Sequence, residues 1–134
     1  MLRDIYLEYS EEILDYLLGR IYKDMDGHEL IDMLTRGYYT YIRENGEIFH
    51  FVDQFSSCPA LASQCSEQKN INSLNILLEE MKNRRIIKNF RNDNLRAIIF
   101  YPIKSIAIKQ CIGEFEQASL LDEMITIIQD ALLL

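Results

Sequence analysis

Apolar residues recur every three or four positions along almost the whole of this chain, and that period confines it to packed helices. Each such stretch buries one face, so several must pack together around a shared core. Five glycines and two prolines in 134 residues are too few to turn a β protein's many short strands. The length fits one domain. The expectation is an all-α fold of about six helices in a single domain spanning 1–134.

The helices are placed by period and by their stop signals. Leu2, Ile5, Tyr9, Ile13, Tyr16 or Leu17, and Ile21 trace one face of a first helix over about 2–23, ended by Met25-Asp26-Gly27. Asp26 with Glu29 has the capping-box spacing and opens a second helix. Its inward face is Leu30, Leu34, Tyr38 and Tyr41 or Ile42, and Asn45-Gly46 ends it. A short third helix carries Ile48, Phe49, Val52 and Phe55, and stops at Ser56-Ser57-Cys58-Pro59. A fourth, about 67–84, carries Ile71, Leu74, Leu77, Leu78 and Met81. After a loop with an extended piece at Ile86-Ile87, Asn92 or Asp93 caps a fifth helix that runs to about Cys111 and contains Pro102. Ser119 with Asp122 reads as the box that opens the last helix.

The last two helices are apolar over a wider arc than one buried face requires. Ile99, Ile103 and Ile106 on the fifth, with Leu121, Ile125, Ile128 and Leu132 on the sixth, are therefore the candidate dimer interface. The expected assembly is a homodimer closed by a four-helix bundle.

Several function classes find no support. A net charge of −7 and a single basic cluster (Lys82, Arg84, Arg85, Lys88, Arg91) at a helix end argue against this chain gripping phosphates. No apolar run approaches the roughly 20 residues of a membrane span, and no signal peptide is visible. Cys58, Cys65 and Cys111 form no C-x-x-C and read as small hydrophobes in a reducing cytoplasm. His50 and Asp53 share a helix face without a third ligand beside them, His28 lies apart, and no phosphate loop or nucleophile motif occurs. No cofactor, metal or catalytic set is expected.

The aromatic and methionine residues carry the remaining signal. Tyr38, Tyr41, Phe49, Phe55, Met81, Phe100 and Tyr101 fall on inward positions of four helices. They suit either a plain packed core or a cavity for a flat, hydrophobic molecule. His50, Gln54, Lys104 and Gln110 are the polar groups at hand to orient a ligand.

Three segments resemble the C-terminal domain of TetR-family transcriptional regulators. Leu2-Arg3-Asp4-Ile5-Tyr6-Leu7-Glu8-Tyr9 is similar to the helix that follows that family's DNA-binding domain. Phe49-His50-Phe51-Val52-Asp53-Gln54-Phe55-Ser56-Ser57-Cys58-Pro59 resembles its short helix ending in a small-residue-then-proline turn. Leu78 to Lys88 looks like its helix, gly-x-ile-ile, loop segment, with Arg85 where glycine is common. The order of elements matches throughout, while the helix-turn-helix has no counterpart after Met1. The resemblance implies an effector-sensing, dimerising domain that reaches DNA only through a missing N-terminal part. It favours the cavity over the packed core, with Tyr38, Tyr41, Phe49, Phe55, Leu77, Met81, Phe100 and Lys104 as ligand-binding candidates. The alternative is a stand-alone all-α protein-interaction module without a small-molecule ligand.

Overall fold

The computed structural model describes residues 2–22, 25–56, 69–109 and 112–134, with side chains placed for all of these except 2–7, 10, 55, 56 and 69–72. Among them are six helices: α1 (Leu2–Leu18), α2 (Gly27–Glu44), α3 (Gly46–Ser56), α4 (Lys69–Asn83), α5 (Asn92–Ala107) and α6 (Glu114–Leu132). The all-α expectation holds, and the described residues contain no named strand, only a single antiparallel bridge.

Helix α2 is the centre of the bundle and packs against α1, α3, α5 and α6. Its burial explains this role: Leu30, Ile31, Leu34, Thr35, Tyr41 and Ile42 are all withdrawn from solvent. Thr35, with no exposure, satisfies its hydroxyl by donating to the Ile31 carbonyl at 2.6 Å. Around α2 the core continues through Leu17 of α1, Leu74, Leu78 and Met81 of α4, Leu95, Ile99 and Ile103 of α5, and Leu121, Ile125 and Ile128 of α6.

Several helix ends differ from the sequence reading. Helix α1 stops at Leu18, where Gly19 and Arg20 turn the chain. Asp26 does occupy the N-cap of α2, although its side chain makes no capping bond. The N-cap of α5 is Arg91 rather than Asn92 or Asp93, and the helix ends at Ala107, short of Cys111. Helix α6 begins at Glu114 behind Gly113, so Ser119 and Asp122 lie inside it and are not a capping box. Two carboxylates, Glu114 and Glu116, favour the positive end of the helix dipole there. The first turn is locked further when Gln117, 2% exposed, donates its side-chain amide to the Ile106 carbonyl at 2.9 Å.

The end of α4 is a Schellman turn with an uncommon occupant. Ile86 N–H reaches the Met81 carbonyl and Arg85 N–H the Lys82 carbonyl, each at 3.0 Å. Arg85 sits at φ 59°, the left-handed conformation that glycine takes most readily. Beyond it, the extended piece at Ile86-Ile87 pairs with the C-terminal residues. Lys88 N–H donates to the Leu132 carbonyl at 2.8 Å and Leu134 N–H to the Ile86 carbonyl at 3.2 Å.

Candidate functional site

The sequence-predicted aromatic positions come together in two places rather than one. Tyr38 of α2 makes edge-to-face contacts with Phe49 of α3 (5.9 Å between centroids) and Phe100 of α5 (5.1 Å). Edge against face is the arrangement that aromatic quadrupoles favour, and it joins the three helices here. Tyr41, one helical turn on, packs instead against Tyr16 of α1 at 5.4 Å. Leu77 and Met81 lie elsewhere, in a cleft of about 360 Å³ shared with Ile21, Tyr22, Met25 and Leu30, whose charged lining is Glu80 and Arg84. The side chain of Phe55, and Gln110, lie outside the described residues.

A second cleft, about 690 Å³, opens where the α2–α3 junction meets the end of α5. Ile42, Phe49, Ala107 and Ile108 give it an apolar lining, and Arg43, Glu47, His50 and Asp53 a polar one. Its size lies within the range of small-molecule sites, and so does the mixture of apolar surface with a few polar groups. Local sequence builds it. Asn45 breaks the helix between Tyr41 and Gly46, which swings α3 away from α2, and the space beside Gly46 is open enough that an added Cβ would touch nothing.

Lys104 stands at the edge of this cleft and joins two helices. Its ammonium donates to Asp53 of α3 at 2.9 Å and lies 5.7 Å from the centre of the Tyr101 ring. Behind the pair, Tyr38 is held protonated to higher pH than a free tyrosine, first by burial and then by the negative charge of Asp53. Arg43 extends from the last turn of α2 and makes one long hydrogen bond, 3.4 Å, to the Ala107 carbonyl.

Of this lining, Phe49 was visible in the sequence as a ligand-binding candidate and His50 as a polar group to orient a ligand, with Lys104 beside the lining through Asp53, whereas Arg43, Gly46, Glu47, Ala107 and Ile108 were not. The signal that was available is the Asn45-Gly46 break, which marks where two helices diverge. The pairing of His50 with Asp53 as metal ligands finds no third partner. Among the described residues no group of three or more His, Cys, Asp or Glu side chains is gathered to hold a metal, and Asp53 is engaged with Lys104.

The seven residues expected at a dimer interface are interior to the single chain. Ile99, Ile103, Ile106, Leu121, Ile125, Ile128 and Leu132 are each no more than 5% exposed, turned into the chain's own core. What α5 and α6 present outward is a different set. Ile98 and Tyr101 follow one another on α5, with Ile108 just beyond its end, and Leu120 and Ile127 on α6. Met124, half-buried, and the exposed Ala131 extend the α6 row at alternating spacings of four and three. The wide apolar arc read from sequence is thus two faces, one in the core and one at the surface. Among the described residues no helix is long and apolar enough to cross a membrane. No protein-family model matches the chain, and no curated protein matches it.

Proposed function

We propose that the chain is the effector-sensing and dimerising domain of a TetR-like transcriptional regulator. In this reading it binds a small hydrophobic or aromatic molecule and acts on DNA through a domain outside these residues. The observation that carries the proposal is the α2–α3–α5 cleft, whose apolar lining and polar groups suit such a molecule. The order of elements supports it, as does the outward row Leu120, Met124, Ile127 and Ala131, whose spacing suits pairing with helices of a second copy. The mechanism is a population shift. A ligand that fits one helix arrangement better favours it by no more than the difference in affinity. A thermal-shift screen of aromatic and aliphatic compounds, with and without Phe49→Ala, tests the reading. Stabilisation that is lost in the variant is expected. No stabilisation by any compound would reject it.

A second reading has its own support. Tyr38 packs edge-to-face against Phe49 and Phe100 where a cavity was expected, and the outward apolar residues of α5 and α6 would then serve another protein. In that case the chain is an all-α interaction module, and sedimentation would find it monomeric when alone.

A further inference from the structure

The charged groups around the α2–α3–α5 cleft are not equally committed, and this says what kind of ligand the cleft takes. The inference rests on the reading of that cleft as the effector site. Lys104 and Asp53 answer each other at 2.9 Å. Glu47 lies in the first turn of α3, where the free amides of the helix favour a carboxylate, and it is open to water. Arg43, like Glu47, forms no ion pair among the described residues, but it is the cleft's cation, and among those residues one of its five N–H groups is used, in the long bond to Ala107. That bond holds the guanidinium beside the carbonyl end of α5, directly next to Ala107 and Ile108 of the apolar lining. A planar fork of donors next to an apolar surface matches a carboxylate on an apolar body, since guanidinium and carboxylate pair through two parallel hydrogen bonds.

We infer that the cleft selects a small organic anion, a carboxylate carried on an aliphatic or aromatic body, with the head group on Arg43 and the body against Ile42, Phe49, Ala107 and Ile108. The neighbouring Lys104–Asp53 pair sharpens the choice. An amine entering the cleft meets Arg43 as a like charge and finds Asp53 already occupied.

Calorimetry on the full chain with two matched sets tests this: octanoate, octanol and octylamine, and 1-naphthylacetate, its amide and 1-naphthylethylamine. In at least one set the carboxylate should bind about tenfold more tightly than the neutral compound, and the amine most weakly. Arg43→Gln should erase the advantage of the carboxylate, weakening it far more than the neutral compound. Ile108→Glu, at a half-exposed position where folding tolerates charge, should weaken the carboxylate more than the neutral compound. Equal binding of all three heads, preference for the amine, or an advantage that survives Arg43→Gln would overturn the inference while leaving the cleft as a ligand site. Failure of every compound in both sets to bind would overturn the site itself.

Discussion

The Leu133 side chain rests on the bare backbone of Gly27: a Cβ at position 27 would lie 2.8 Å from Leu133 Cδ2 and 2.7 Å from Ile86 Cγ2. Position 27 is the first residue of α2, so its close approach lets the C-terminal residues and the α4–α5 connection close over the start of the central helix. Gln129 adds to this closure by donating to the His28 carbonyl at 3.0 Å.

Gly27→Ala should therefore destabilise the chain. Overpacking costs about 1–3 kcal/mol, and the better helix propensity of alanine returns about 1 kcal/mol. The expected net loss is about 1 kcal/mol in urea unfolding. In a Leu133→Ala background the same substitution should cost less, because the clashing methyl groups of Leu133 are gone. Equal cost in both backgrounds would show that the contact does not constrain position 27.

Arg85→Gly should act in the opposite direction. The left-handed conformation costs a residue with a Cβ roughly 1–2 kcal/mol, and Arg85 is exposed, so removing its side chain gives up little packing. Part of that gain is lost to the greater freedom of glycine in the unfolded chain. A stabilisation of about 0.5–1 kcal/mol is expected from thermal or urea denaturation.

Tyr38 gives the chain a dependence on alkaline pH. Burial and Asp53 raise its folded pKa above the unfolded value of about 10, so the folded state keeps the proton more strongly. The corresponding stability is fully present below about pH 10 and is lost as pH rises from there towards the folded value. Tyr41, also raised by burial, contributes in the same direction. Tyr38→Phe should leave stability near pH 7 little changed and reduce its fall above about pH 10. Tyrosinate absorbance should likewise show fewer late-titrating tyrosines in the variant.

How much of this was legible in the sequence depended on whether the signal was local. Period alone found six helices, because each buries a face at 3.6-residue spacing. The start of α6 was misplaced because its first turn breaks that rule: Phe115 points outward at 90% exposure while the polar Gln117 is buried. The Ile86-Ile87 piece was readable as extended, but not its pairing with Leu132 and Leu134, which joins distant parts of the chain. The same limit applied to the site. Phe49 and His50 stood out by type, as did the neighbouring Lys104, yet the cleft depends on Ala107 and Ile108 reaching the α2–α3 junction, a juxtaposition no local pattern encodes.

The two apolar faces of α6 can be separated by charge. Ile125 and Ile128 are 3% and 1% exposed, whereas Ile127, one residue away, is 50% exposed. A carboxylate at 125 or 128 would be buried inside the chain without a partner, a change expected to cost about 4 kcal/mol or more. Ile125→Glu and Ile128→Glu should therefore lose cooperative unfolding or melt far below the parent, whatever the oligomeric state. Ile127→Glu and Leu120→Glu place the charge at the surface of the single chain and should change the stability of an isolated monomer by only about 0.5 kcal/mol. If the outward face of α6 joins two copies, these variants would instead set like charges against each other across the two-fold axis. They should then sediment as folded monomers at concentrations where the parent is a dimer, with helical circular dichroism retained. A parent dimer that survives both outward substitutions would place the contact on another surface, and a parent that is monomeric at every concentration would leave this face to a different partner.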